Sequence, residues 1–136
     1  MLHIAKLCVG VSDIAQLRAW QTERPTLIHR TRSFPRRAAE VTDGGSLYWV
    51  IAGAMVVRQR ITDITAGTQD DGLSCAVLHL HRTLVPVAGR PTKPFQGWRY
   101  LDPAAAPPDL TRVTRARGEE DLPRALKNQL RALGLL

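Results

Sequence analysis

The sequence predicts an α+β fold. One domain is built on a mostly antiparallel sheet of five or six strands that can curl into a pseudo-barrel, with two short N-terminal helices and a third at the C-terminus. Three observations predict it. Strand-length runs, either continuously apolar or alternating, occupy most of residues 2–87. Helical periodicity is confined to two short stretches near the start and to the C-terminal leucines. A chain of 136 residues is also long enough to bury one core without disulfides or metal.

Residues 2–9 read as the first strand. Ser12 can cap a helix over residues 13–23, where Ile14, Leu17 and Trp20 recur every three residues as one apolar face, and Pro25 ends it. Residues 27–31 form a second short strand. Pro35 suits the first position of a helix over residues 35–42, where its missing N–H costs nothing, and Asp43-Gly44-Gly45 is a turn. Residues 46–52 are nearly all apolar, so this strand should be covered on both sides. Gly53 marks a tight connection to a long strand over residues 55–64, with Val57, Gln59 and Ile61 on one face and Arg58, Arg60 and Thr62 on the other. Residues 66–72 form a polar hairpin loop ending in Asp71-Gly72, and residues 75–80 and 84–87 are the last strands.

From Pro86 to Pro108 six prolines predict an extended surface course, which completes a β-rich core over residues 1–101. Residues 102–120 are a proline-rich, charged segment. A helix over residues 121–134 follows, with Asp121 as cap and Leu122, Leu126, Leu130 and Leu133 along one face.

Lysine and arginine total 19 against 12 acidic residues, a net charge of +7, the balance expected near polyanions. Sixteen of those cations are arginine, a bias that a GC-rich genome also produces. Cys8 and Cys75 stand far apart with no metal-ligand spacing, so free thiols in a reducing cytoplasm are expected. No signal peptide is expected from the opening residues, and no apolar run is long enough to span a bilayer.

Arginine doublets mark the candidate surface. Arg24, Arg30, Arg32, Arg36 and Arg37 crowd one segment, where Thr31 and Arg32 lead toward a helix N-terminus and its free N–H groups. Arg58 and Arg60 share one strand face, and Gln59 between them needs hydrogen-bond partners if it is buried. Phe95, Gln96, Trp98, Arg99 and Tyr100 concentrate aromatic rings in a short loop fit to stack bases, or simply to pin the loop to the core, as Trp98 does in the plainer reading. His79 and His81, two apart on a strand, lack a third ligand, so no metal is expected. No catalytic motif is recognised and no cofactor is implied.

The stretches His3-Ile4-Ala5-Lys6-Leu7-Cys8-Val9-Gly10, Thr31-Arg32 with Pro35-Arg36-Arg37-Ala38, Asp43-Gly44-Gly45-Ser46-Leu47-Tyr48-Trp49-Val50-Ile51, Arg58-Gln59-Arg60-Ile61 and Pro94-Phe95-Gln96-Gly97-Trp98-Arg99-Tyr100-Leu101 resemble the bacterial family called domain of unknown function 1489. The resemblance covers nearly the whole chain and implies an alphaproteobacterial family without an assigned activity. The chain departs from it at His79 and His81, where an aspartate-containing strand end is expected. More distantly, the order strand, Thr-Arg-x-x-Pro, short helix, glycine turn, apolar strand and long basic strand is similar to PUA-like domains, including the ASCH and EVE groups. That likeness implies a small β-barrel that binds RNA or modified bases beside its first helix.

The resulting expectation is a cytoplasmic PUA-like protein that binds nucleic acid, RNA in preference to DNA, with no catalytic motif to mark it as an enzyme. Arg32, Arg36, Arg37, Arg58 and Arg60 would meet phosphates, and Trp49, Phe95, Trp98 or Tyr100 would offer a stacking surface. An enzyme or sensor for a small anionic ligand such as a nucleotide, and a protein-interaction module using the C-terminal leucine helix, are the alternatives.

Overall fold

Alternation along one long strand organises the sheet. The structure, a computed structural model, describes residues 1–110. In chain order the elements are β1 (His3–Leu7), α1 (Ile14–Thr22), β2 (Ile28–Thr31), α2 (Ala38–Thr42), β3 (Ser46–Ile51), β4 (Ala54–Thr68), β5 (Ser74–Leu80), β6 (Val85–Pro91) and β7 (Trp98–Leu101), then a 3₁₀ turn, Pro103–Ala105. The strands form one open mixed sheet in the order β2-β5-β4-β3-β1-β7, with β6 hydrogen-bonded to β4 off this path. β1 and β3 run parallel, and the remaining pairs are antiparallel. The first half of β4 pairs with β3 and β6, and its second half with β5. One strand therefore belongs to three ladders.

The predicted α+β class and largely antiparallel sheet are found, with one strand more than expected. The addition is β7, inside the stretch read as extended surface. It has four residues, of which only Leu101 is fully buried, so it carries no apolar run to announce it. The predicted helix over residues 121–134 lies outside the described residues.

Both faces of the central strands are covered, as the continuous apolar run of β3 requires. On one face Leu47, Trp49 and Ile51 of β3 join Ile4, Val57, Ile61 and Leu78 under α1, which contributes Ile14 and Leu17, and under Val41 of α2. On the other, Tyr48 and Val50 join Ala5 and Met55 beneath Val87, Phe95 and Leu101. A two-residue turn links β3 to β4, with φ of 52° at Ala52 and 83° at Gly53. Positive φ at both positions is what a short hairpin needs to follow the strand twist.

The helices correct three expectations. In α1 the buried positions are Ile14, Leu17 and Gln21, while Trp20 is 53% exposed. At roughly 100° per residue, Trp20 lies about 120° from Ile14, whereas Gln21 lies about 20° from it. A spacing of three drifts off the buried face; a spacing of seven returns to it. The helix cap is Asp13, whose carboxylate accepts from the Gln16 N–H at 2.7 Å, and Ser12 donates its own N–H to the Gln16 side chain. In the second helix Pro35 is buried ahead of the helix and is not its first residue.

Gln59 occupies the inward face of β4 and is completely buried. Its Oε1 accepts from Gln21 Nε2 at 3.0 Å and from Trp49 Nε1 at 3.1 Å. Its Nε2 donates to Gln21 Oε1 at 2.7 Å and to the His81 carbonyl at 2.9 Å. Four bonds satisfy the whole amide. Replacing Gln59 by leucine keeps the volume but strands both partner side chains. The expected loss in unfolding free energy is on the order of 3 kcal/mol, read from denaturant midpoints. A loss below about 1 kcal/mol would show that the network adds little.

Candidate functional site

Register sets three side chains in a row across adjacent strands. Lys6 of β1 is the partner of Trp49 on β3 and of Trp98 on β7, and directly opposed residues project from the same face. Trp49, Lys6 and Trp98 thus lie side by side. β7 ends the strand order on this side, and β2 ends it on the other. Side chains of β7 nevertheless reach the segment that follows β2: Trp98 Nε1 donates to the Ser33 carbonyl at 3.0 Å, and the Tyr100 hydroxyl accepts from the Arg37 N–H at 3.1 Å.

A cleft of about 630 Å³ opens there, lined by Lys6, Arg30, Arg32, Gln69, Gln96 and Trp98 together with Thr31, Ser33 and Gly97. Among the described residues three cations border it and no carboxylate does. Asp70 and Asp71, in the β4–β5 turn, line an adjoining depression that shares Arg30 and Gln69. Among the described residues the ion pairs are Arg37–Glu40 and Arg58–Asp109, so neither Lys6, Arg30 nor Arg32 is paired. Partial burial lowers the Lys6 pKa from its ordinary value.

The structure divides the predicted site residues. Thr31, Arg32, Gln96 and Trp98 share the cleft. Arg36 is exposed, and Arg37 is engaged by Glu40 at 2.5 Å while its guanidinium lies over Tyr100. Arg58 and Arg60 face the other side of β4. Arg58 also donates to Ser46 Oγ and is held by Asp109 through two bonds of 2.7 Å, and these bonds from Arg58 keep the Asp109 carboxyl below its usual range. Gln59 belongs to the core network rather than to a groove. Phe95 is buried in the outer cluster, with Arg99 above its ring at 4.6 Å. Tyr100 meets Trp98 edge to face at 4.8 Å. His79 bonds Thr65 and His81 accepts from Thr83, and among the described residues no group of three or more His, Cys, Asp or Glu is placed to hold a metal.

Trp49 borders a second, apolar cavity of about 360 Å³ with Cys8, Val11, Gln16, Trp20 and His29. Burial pushes the Cys8 thiol up to about 11, leaving it protonated and inert near neutrality. The His29 ring packs edge-on against Trp49 at 5.2 Å, and its Nε2 is buried without a hydrogen-bond partner. Sequence reasoning missed Lys6 and His29. The available signal was their place in strand alternation, Lys6 between Ile4 and Cys8, and His29 in phase with buried Thr31.

Burial, and secondarily the nearby Lys6 charge, pull the His29 pKa from 6.5 down to about 4. Between those values the unfolded chain binds a proton that the folded chain does not, so stability falls as pH drops from 6.5 toward 4 and is fully present above 6.5. We expect a loss of about 1–2 kcal/mol between pH 7 and pH 5 in denaturant unfolding, and a flatter profile for His29→Leu. Equal pH dependence in both proteins would refute a neutral, desolvated His29.

Among the described residues no helix is long and apolar enough to cross a membrane. Comparison with curated proteins and with solved structures gives no match. A family match covers residues 4–136, and the chain belongs to the family described as protein of unknown function (DUF1489).

Proposed function

We propose that this protein binds nucleic acid, RNA in preference to DNA, with backbone phosphates seated in the cleft between β2 and β7. The observation that carries the reading is the lining itself: Lys6, Arg30 and Arg32 converge on one hollow with amide donors from Gln69 and Gln96 and, among the described residues, with no carboxylate. Guanidinium groups chelate phosphate oxygens bidentately, and a tryptophan beside them offers a stacking face. The preference for RNA rests on the likeness to PUA-like domains in the order of elements. A pseudo-barrel curl is supported by the bonds from Trp98 and Tyr100 to the segment after β2. The phosphate contacts assigned from sequence to Arg58 and Arg60 pass to Lys6 and Arg30, because Asp109 already occupies Arg58.

A salt titration with a labelled single-stranded RNA tests the reading. Affinity should fall steeply with salt, and Arg30→Ala with Arg32→Ala should reduce the log–log slope by about two, whereas Arg58→Ala with Arg60→Ala should leave it nearly unchanged. Absence of binding at low salt would end the proposal. The confined volume of the cleft also favours a second reading, recognition of a free nucleotide, which would appear as a mononucleotide competing as well as the strand.

A further inference from the structure

The apolar cavity and the cationic cleft have one lining residue in common, Lys6. The Trp49–Lys6–Trp98 row explains why: the indole on one side of Lys6 borders the apolar cavity, and the indole on the other borders the cleft. The two hollows are therefore neighbours across one cation. Their chemistry is opposite. The cleft suits an anion. The cavity, bordered by Trp49, Trp20, Val11 and Cys8, suits an uncharged planar ring and would penalise a buried charge. One polar atom near it lacks a partner, the Nε2 of His29.

We propose that the two hollows form a single site for one unstacked nucleotide of a single strand. Its phosphate sits among Lys6, Arg30 and Arg32, and its base crosses Lys6 into the apolar cavity beside Trp49 and His29. This rests on the phosphate-binding reading above and adds the substrate class. A base paired and stacked in a duplex cannot enter such a cavity without being extruded, so the site selects single strands. The polar groups on the cavity lining come from Lys6 and Gln16, which would discriminate among bases by their ring edges, while the His29 ring, uncharged near neutrality, packs beside them with its Nε2 buried.

The test uses the full chain and three labelled RNA probes of equal length: a single strand, its duplex, and an abasic strand with the same ribose–phosphate backbone. The intact single strand should bind tighter than the duplex or the abasic strand by roughly tenfold or more, the scale of one base stacked on an aromatic ring. Trp20→Ala removes an exposed wall of the apolar cavity, and Val11→Phe fills it from a position that also packs against the inner core; neither residue lines the cationic cleft. Both should erase the preference for the intact strand over the abasic one while keeping salt-sensitive binding. Trp20 is largely exposed, so its replacement preserves the fold, which far-ultraviolet circular dichroism checks. Equal affinity for intact and abasic strands would overturn the base subsite and leave phosphate binding standing. Failure of all three probes to bind at low salt would overturn both.

Discussion

The buried amide of Gln59 is the constraint on which the rest of the inner core depends. It ties α1, β3, β4 and the end of β5 through four hydrogen bonds, so each of those elements has one rotation and one register that leave no polar atom stranded. A slip of one residue in β4 would turn Gln59 outward and bring an arginine into the core. The bond to Trp49 Nε1 also fixes the indole plane, and that indole borders the apolar cavity. The shape of the cavity is thereby set by a polar contact on its far side.

Charge is distributed unevenly around this frame. On the outer face of β4 a guanidinium meets a carboxylate, and the Arg58–Asp109 pair draws the segment around residue 109 onto β6, where Val87 and Asp109 form an isolated bridge. At the junction of β1, β2 and β7 the cations have no such partner among the described residues. Like charges gathered without compensation cost stability, and Lys6 is partly desolvated as well.

Much of the fold was legible in the sequence. The unbroken apolar run of β3 announced a strand covered on both faces, and the alternation along β4 singled out Gln59 as a residue in need of partners. Its partners were not legible. Gln21 faces inward because helices turn every 3.6 residues, and the every-third pattern through Trp20 pointed elsewhere. Nor could the Trp49–Lys6–Trp98 row be read locally, since its members meet only after strands distant in sequence pair. β7 was hidden for a related reason: a four-residue strand at the end of a sheet is defined by its neighbour, not by its own pattern.

The position of β1 has a consequence for how the chain assembles. It lies between β3 and β7, so this strand is hydrogen-bonded on one side to a strand some forty residues later and on the other to one nearly a hundred residues later. Loop-closure entropy must be met before either ladder forms, which favours slow folding. During synthesis the β3–β4–β5 meander can zip locally as it emerges. The N-terminal strand keeps an open edge until residues 98–101 have left the ribosome, and only then does the cationic cleft acquire its second wall.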